Sequence, residues 1–312
     1  MLATRYKLFD KPNPRSSHSE PTPRGGGLAI VMSVLISCLV FHSFNPIFGV
    51  DFEWQSGFIL VVTFLLAVAS FFDDLLSLSV SVRLSLQGFL SLIVVFLVGP
   101  IPMGDVVPIS VSIVLTAIVL MWLLNLYNFM DGIDGLAASE TSVVCIVAAA
   151  ILMGNNTQDS IVVMAIALGG SALGFLVWNW SPAKLFMGDS GSVFLGFTIG
   201  SLALFSVQET ALSMSVWLIL LATFTTDASY TLIRRLLAGQ NIFYAHRSHG
   251  YQVLADRWGS HKKVTSLYMV INLFWLVPIA VIADNYPELA INAVAIAYIP
   301  LLAMMAKLDN LA

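Results

Sequence analysis

Charged side chains are scarce in this sequence. Lysine, arginine, aspartate and glutamate make up 10% of the 312 residues, whereas hydrophobic residues make up 58%. A typical soluble domain is about 25% charged. The scarcity of charge therefore excludes an ordinary soluble protein and predicts an integral membrane protein whose largest partner is the lipid bilayer. We expect no nucleic-acid partner.

Cysteine is almost absent as well. The chain has two cysteines, Cys38 and Cys145, and each lies within an apolar run. Two isolated thiols provide neither a disulfide framework nor a cysteine-based metal site. The first residues, MLATRYKLFDKPNPRSSHSEPTPRGGG, are polar and basic, so we expect no cleavable signal peptide.

Long apolar segments are abundant instead. A membrane helix needs about 20 mostly apolar residues, and the alternation typical of barrel strands is missing. We therefore predict an all-α, polytopic helical bundle that forms one membrane-embedded domain over residues 1–312. The predicted spans are 27–44, 56–72, 84–101, 108–127, 136–153, 160–178, 191–207, 211–233, 264–283 and 287–305.

The basic residues fall on one side of this predicted bundle, which we call the basic side. All 14 lysines and arginines lie in its loops and termini. The loops of the opposite side carry only acids, which are Asp51, Glu53, Asp105, Asp159, Glu209, Asp284 and Glu288. The positive-inside rule assigns the basic side to the cytoplasm.

Five polar motifs also fall on the basic side. They occupy residues 14–27, 71–77, 125–137, 179–192 and 245–252. Their carboxylates are Asp73, Asp74, Asp131, Asp134 and Asp189. Their candidate cations are Arg15, His18, Arg24, Lys184, His246, Arg247 and His249. Clustered carboxylates need a neutralising charge, and oxygen ligands suit Mg²⁺ or Mn²⁺. Because basic side chains and glycine-rich backbone suit phosphate, the combination indicates phosphoryl transfer.

Each motif taken alone has a structural alternative. Asp73 and Asp74 could form a solvated loop end, and MDGIDG could be two Asp-Gly turns. Asp189 could cap a helix that begins near Ser190. The shared side of the membrane favours a common site over these separate explanations.

These motifs resemble those of the polyprenyl-phosphate N-acetylhexosamine-1-phosphate transferase family, in the family's order and over about residues 10–305. They read RSSHSEPTPRGGG, DDLLSLSVSVRLSLQ, NFMDGIDGLA, PAKLFMGDSGS and HRSHGYQ. The resemblance implies an Mg²⁺-dependent enzyme of the bacterial inner membrane. Such an enzyme transfers a sugar-1-phosphate from a UDP-N-acetylhexosamine to undecaprenyl phosphate and releases UMP. HRSHGYQ is similar to the corresponding loop of the enzymes that initiate O-antigen and other surface polysaccharides.

The resemblance also implies residue roles. The implied metal ligands are Asn128 and Asp189. The implied catalytic carboxylates are Asp73 and Asp74, which activate or orient the lipid phosphate, and Asp131 and Asp134, on the nucleotide side. The expected substrate-binding residues are Arg24, Lys184, His246, Arg247 and His249. The family's usual span before DKPNPRSSH is missing here, so we expect ten spans rather than eleven.

Two other functions remain open at this stage. DGIDGLAAS matches the opening of the CDP-alcohol phosphotransferase motif, although Ser139 stands where that motif has arginine. An ion-coupled transporter would use acids inside the membrane, and only Asp227 lies clearly within a predicted span, with Glu140 near the end of another. The sequence also leaves open the identity of the sugar, the length of the lipid and whether the protein forms a homodimer. It does not distinguish direct attack by the lipid phosphate from a mechanism with a covalent aspartyl intermediate.

The predicted orientation can be tested by cysteine labelling. In a variant without Cys38 and Cys145, a cysteine at Lys262 should react only from the cytoplasmic side, whereas one at Asn156 should react from outside. An impermeant maleimide applied to intact and to opened cells measures both positions. Labelling of position 262 in intact cells would contradict the topology.

Overall fold

The computed structural model describes residues 9–10, 22–44, 52–76, 78–104, 106–157, 159–241 and 246–309. Arg15 and His18, two of the candidate cations, lie outside the described residues. Within these ranges the chain is a bundle of long helices, accompanied by one pair of two-residue antiparallel strands, β1 (Phe9–Asp10) and β2 (Thr22–Pro23). The predicted all-α, polytopic fold is confirmed.

Thirteen α-helices follow in chain order through the described residues. The first seven are α1 (Gly26–Ser43), α2 (Trp54–Leu76), α3 (Val80–Val98), α4 (Ile109–Met130), α5 (Leu136–Gly154), α6 (Ser160–Asn179) and α7 (Asp189–Gln208). The remainder are α8 (Met214–Leu220), α9 (Ala222–Leu237), α10 (Gly250–Trp258), α11 (His261–Ile271), α12 (Val277–Asn285) and α13 (Ala290–Asp309). A π-helical turn (Asn272–Leu276) joins α11 to α12, and a 3₁₀ turn (Pro287–Leu289) precedes α13.

Nine of the ten predicted spans are single continuous spans in the described part of the chain, with ends that agree to about four residues. The prediction for 211–233 was wrong in one respect, because this stretch consists of α8 and α9, bent by 74°. Side chains bond to the backbone at the bend. The Thr225 hydroxyl lies 2.8 Å from the Leu221 carbonyl oxygen, and the Tyr298 hydroxyl lies 3.0 Å from that of Leu218. Side chains that satisfy backbone carbonyls permit such a break within a membrane.

Helix α7 is the centre of the bundle. All its residues from Ser190 to Ser206 are buried, and it packs against α1, α2 and α4. A methyl group on Gly196 would lie 2.7 Å from the carbonyl oxygen of Leu123 in α4. Membrane helices pack through small residues that let two backbones approach closely. The position of α7, and of Asp189 at its start, is therefore fixed by contacts along its whole length.

A buried acid joins three segments near the bend. Glu140 of α5 is 1% exposed, and its carboxylate accepts hydrogen bonds from the Thr223 hydroxyl at 2.8 Å and from the Asn272 amide. Thr223 follows the bend, and Asn272 begins the π-helical turn. Because ionisable groups within a membrane must be paired, this network stabilises the packing of α5, α9 and the π-helical turn.

We expect Glu140→Ala to lower the free energy of unfolding by about 3 kcal/mol, because Thr223 and Asn272 would stay buried with fewer partners. Glu140→Gln should cost less, since glutamine keeps one acceptor oxygen. The measurement is thermal unfolding in detergent. The matched control is Glu209→Ala, at an exposed position after α7, which should change stability by less than about 0.5 kcal/mol. Equal effects of the two alanine variants would refute the network.

Candidate active site

The start of α1 and the loop before α7 form one layer on the basic side. The Gly27 backbone N–H donates to the Met187 carbonyl oxygen at 2.9 Å. A methyl group on Gly27 would overlap the Cα of Gly191 in α7. This close approach places Arg24, which lies just before α1, beside the first turn of α7.

Asp74 of α2 lies beside the start of α7. Its carboxylate is attracted by the backbone N–H of Ser190, one of the N–H groups that a helix leaves unpaired at its start. Asp189 is the first helical residue, and Gly188 holds the cap position without a side chain. The explanation of Asp189 as the cap is therefore wrong, because Asp189 lies within the helix.

Three carboxylates interact at this point. Asp131 directly follows α4, and burial together with the negative charge of Asp189 raises its pKa well above the usual range, while Arg24 opposes the shift. Asp74 is also repelled by the charge of Asp189 and attracted by the charge of Arg24. We call Asp74, Asp131 and Asp189 the carboxylate cluster. When ionised, these three carboxylates would outnumber Arg24, the opposing charge among the described residues, and a divalent cation would favour their ionised forms.

Asn128 reaches the same turn of α7. Its side-chain nitrogen lies 3.1 Å from the Ser192 hydroxyl oxygen, which leaves its amide oxygen as the group available to a cation. Within the described residues, no three Asp, Glu, His or Cys side chains form a preformed metal cage. Mg²⁺ typically takes only one or two protein oxygens beside waters and substrate phosphates, so Asn128 and Asp189 fit such an ion.

Asp73 organises the turn between α2 and α3. Its Oδ1 accepts from the Leu78 backbone N–H at 2.9 Å, and its Oδ2 lies 3.5 Å from an Arg83 guanidinium nitrogen. The neighbouring carboxylates of Asp73 and Asp74 thus have different partners. Their predicted joint role on the lipid phosphate stays a prediction.

Asp134 is also engaged within the chain. It is 8% exposed, and its two oxygens lie 3.2 Å from the Ala183 backbone nitrogen and 3.2 Å from His261 Nδ1. Burial raises the pKa of Asp134, but His261, the backbone N–H of Ala183 and Ser181 together outweigh burial, so the net pKa lies below the usual range. Asp134 therefore joins the loop before α7 to the start of α11, and its predicted nucleotide-side role remains a prediction.

The last basic-side loop packs against the segment that ends α4. The His249 ring, 3% exposed, stacks with Phe129 and Tyr251 at centroid distances of 6.1 and 5.8 Å. The Tyr251 hydroxyl donates to the Phe129 carbonyl oxygen at 2.8 Å. The structure thereby brings together two of the predicted motifs that are more than 100 residues apart.

Two candidate cations of this loop differ in charge. Burial and nearby positive charge, including that of His249, lower the pKa of His246 to about 4. His246 is therefore neutral at pH 7 and can offer a hydrogen bond but no charge, which corrects its place among the cations. The Arg247 guanidinium pairs with Asp256 at 2.6 Å. Lys184 is exposed in the loop before α7.

A cavity that the sequence did not indicate lies beside the bend. It has a volume of about 660 Å³, is mostly apolar, and is bounded by α4, α7, α8, α9 and α13. Its lining includes Leu123 and Trp217, and it extends to Arg234 near the end of α9. The Arg234 guanidinium lies 3.4 Å from the Ser248 carbonyl oxygen, so the cavity reaches the last basic-side loop.

The chain is similar to known proteins along most of its length. Residues 56–207 match the model of glycosyl transferase family 4. The chain is 30% identical to a probable undecaprenyl-phosphate N-acetylglucosaminyl 1-phosphate transferase of Bacillus subtilis, over 86% of this chain and 76% of that protein. It is 28% identical to a decaprenyl-phosphate N-acetylglucosaminephosphotransferase of Mycobacterium leprae, over 86% and 75%. It is 30% identical to a phospho-N-acetylmuramoyl-pentapeptide-transferase of Halalkalibacterium halodurans, over 83% and 82%.

The contact between Gly27 and Gly191 yields a prediction for the layer that holds Asp189. We expect Gly27→Ala to destabilise the protein by about 1–3 kcal/mol, because an added methyl group must separate α1 from α7. The control is Gly57→Ala in α2, where nothing lies within 4 Å of the added group. That change should be neutral or slightly stabilising. The measurement is thermal unfolding of both variants. A Gly27→Ala protein as stable as the wild type would contradict the close contact.

Proposed function

Because this chain belongs to glycosyl transferase family 4, among its polyprenyl-phosphate N-acetylhexosamine-1-phosphate transferases, we propose that its donor is a UDP-N-acetylhexosamine and its acceptor undecaprenyl phosphate. The products would be UMP and a polyprenyl-diphosphate sugar. Family membership already makes the chain an integral membrane enzyme that transfers a phospho-sugar to polyprenyl phosphate. The donor and the acceptor that we propose follow from the chemistry of the site.

The carboxylate cluster is the observation that carries the proposal. Asp74, Asp131 and Asp189 come from three segments that are far apart in sequence, yet they interact electrostatically around Arg24. A concentration of negative charge beside one guanidinium suits a divalent cation together with a diphosphate. When bound, Mg²⁺ would neutralise the charge on the diphosphate of the donor.

The surrounding residues support binding of the donor. Asn128 and Asp189 offer oxygens to the cation, and Arg24 is placed to hold phosphate oxygens through its planar guanidinium. Arg247 could bind a second phosphate by exchanging Asp256, its present partner, for the ligand. We assign the nucleotide to the surface formed by the last basic-side loop and the segment after α4.

The apolar cavity supports binding of the acceptor's chain. Leu123 lines it and precedes Asn128 by five residues, an axial rise of about 7.5 Å along α4. A polyprenyl chain in this cavity would therefore extend from the neighbourhood of the cation site toward the bend between α8 and α9. The mostly apolar lining suits isoprene units, because their transfer from water is favourable.

The proposed reaction is displacement at phosphorus. An oxygen of the lipid phosphate attacks the phosphorus bonded to the sugar, the bond from that phosphorus to the bridging oxygen breaks, and UMP leaves with the electron pair. The second pKa of a phosphate monoester is near 6 by analogy with phosphorylated side chains, so much of the acceptor is already ionised at pH 7. Positioning rather than proton removal is then the main task of Asp73 and Asp74, whether attack is direct or passes through an aspartyl intermediate.

We place this activity at the cytoplasmic face of a bacterial inner membrane, because the carboxylate cluster lies on the basic side. The product would initiate a lipid-linked glycan, and we assign it to O-antigen or another surface polysaccharide from the HRSHGYQ loop. We also propose that residues 1–312 form a single domain and that the cofactor is Mg²⁺ or Mn²⁺. Binding of undecaprenyl phosphate could occur in a monomer or in a homodimer.

Purified protein with undecaprenyl phosphate, Mg²⁺ and a panel of UDP-sugars tests the function. We expect UMP release with UDP-N-acetylglucosamine or another UDP-N-acetylhexosamine, and formation of the matching lipid product by mass spectrometry. Release only with UDP-N-acetylmuramoyl-pentapeptide would move the chain to the peptidoglycan branch. No release with any donor would refute the UDP-sugar assignment.

The cation assignment predicts the behaviour of Asp189→Asn in the same assay. Asparagine keeps the size of the side chain but removes the charge, so the variant should stay folded and lose at least about 100-fold in turnover. Any residual activity should need more Mg²⁺. The control is Asp284→Asn, at the opposite side of the bundle, where Asp284 pairs with Asn155 and turnover should be normal. Wild-type Mg²⁺ dependence in Asp189→Asn would contradict the assignment.

A further inference from the structure

Asp227 is a buried acid whose two oxygens are both engaged. It lies in α9 and is 1% exposed. Its Oδ1 accepts from the Gly250 backbone N–H at 2.8 Å, and its Oδ2 accepts from the Tyr251 backbone N–H at 2.8 Å and from the Tyr268 hydroxyl at 2.6 Å. His249 Nδ1 lies 3.5 Å from Oδ1. Four groups from two other parts of the chain thus converge on one carboxylate.

These contacts amount to a helix cap supplied from another helix. Gly250 and Tyr251 are the first residues of α10, and the N–H groups at a helix start have no partner within the helix. Asp227 satisfies two of them, and its negative charge suits the positive end of the helix. The Tyr268 hydroxyl adds α11 to the same carboxylate. The start of α10 is therefore fixed relative to α9 and α11.

A second contact carries this constraint to the carboxylate cluster. The Tyr251 hydroxyl donates to the Phe129 carbonyl oxygen at 2.8 Å, and Phe129 lies between Asn128 and Asp131 in the chain. A methyl group on Gly132 would overlap the Tyr251 hydroxyl. The route from Asp227 through the backbone and ring of Tyr251 to the segment after α4 is thus a continuous series of direct contacts.

We propose that Asp227 is a positioning residue for the UDP-sugar site, acting through Tyr251 to hold the last basic-side loop against the segment that contains Asn128 and Asp131. This inference rests on the proposed function. It assigns Asp227 to the donor site, whereas the acceptor's chain would occupy the cavity on another side of α9. It also gives the acid a role other than ion transport, because its oxygens are occupied by four intramolecular partners.

Steady-state kinetics of Asp227→Asn separates positioning from a purely structural role. Asparagine has one acceptor oxygen, so it cannot accept all of the present hydrogen bonds. We expect the KM for the UDP-sugar to rise about tenfold or more, corresponding to loss of roughly one hydrogen bond, while the KM for undecaprenyl phosphate stays within about twofold. Tyr268→Phe removes one bond but keeps the charge and should shift the same KM by a smaller factor.

A double-mutant cycle tests the route through Tyr251. Tyr251→Phe should raise the UDP-sugar KM by itself, and the variant carrying both Asp227→Asn and Tyr251→Phe should show less than the product of the two single effects, because both changes loosen one contact series. The control is Glu140→Gln, the other buried acid, which should lower stability without a selective change in either KM. Multiplicative effects of the two single changes would overturn the route.

Hydrogen–deuterium exchange of residues 246–258 provides a readout without turnover. We expect Asp227→Asn to accelerate exchange in this segment about tenfold or more, with little change in α4 or α7. The exchange measurement does not require turnover. If the wild-type protein accepts no UDP-sugar, the proposed function is wrong, but faster exchange in Asp227→Asn would still show that Asp227 holds this segment in place. Unchanged exchange in 246–258, or equal rises of both KM values, would overturn the inference. If Asp227→Asn does not fold, Tyr268→Phe decides by the same criteria.

Discussion

Repulsion among carboxylates is the constraint on which the basic side of this protein depends. Asp131 and Asp189 lie near each other at the edge of an apolar bundle, with Asp74 beside them and Arg24 as the opposing charge. Like charges held together in a place of reduced solvation are unfavourable unless a counter-charge binds or a proton is retained. The fold maintains this arrangement through the extensive burial of α7 and the contact of Gly27 with Gly191.

The polar groups inside the spans follow a different rule. Glu140 and Asp227 are nearly inaccessible, and each accepts hydrogen bonds from side chains or backbone of other segments. Such groups are retained within membranes where they pair or serve a function. Here they hold the parts of the chain that depart from regular helix: the bend after α8, the π-helical turn, and the loop before α10. This arrangement favours an enzyme with a fixed site over a transporter with a midplane ion path.

The sequence predicted the number of apolar spans and the side on which the polar motifs lie, because long apolar runs and the charge of the loops depend directly on the membrane. It did not predict the bend at Leu221, since apolar length is the same for a straight and a broken span. It also missed the division between Asp73 and Asp74 and the intrachain partners of Asp134. These contacts depend on the direction in which each side chain points between helices that are far apart in the sequence. The same is true of the helix cap that Asp227 provides.

Localised cleavage by Fe²⁺ tests most directly whether one cation is shared by the segment after α4 and the start of α7. With Fe²⁺ in place of Mg²⁺, ascorbate and peroxide generate radicals that cut the backbone beside the bound ion. If one cation is shared, we expect two groups of cuts, near residues 128–131 and 188–190, that excess Mg²⁺ suppresses and that Asp189→Asn abolishes. Cuts elsewhere in the chain, or cuts at only one of these segments, would contradict a shared cation site.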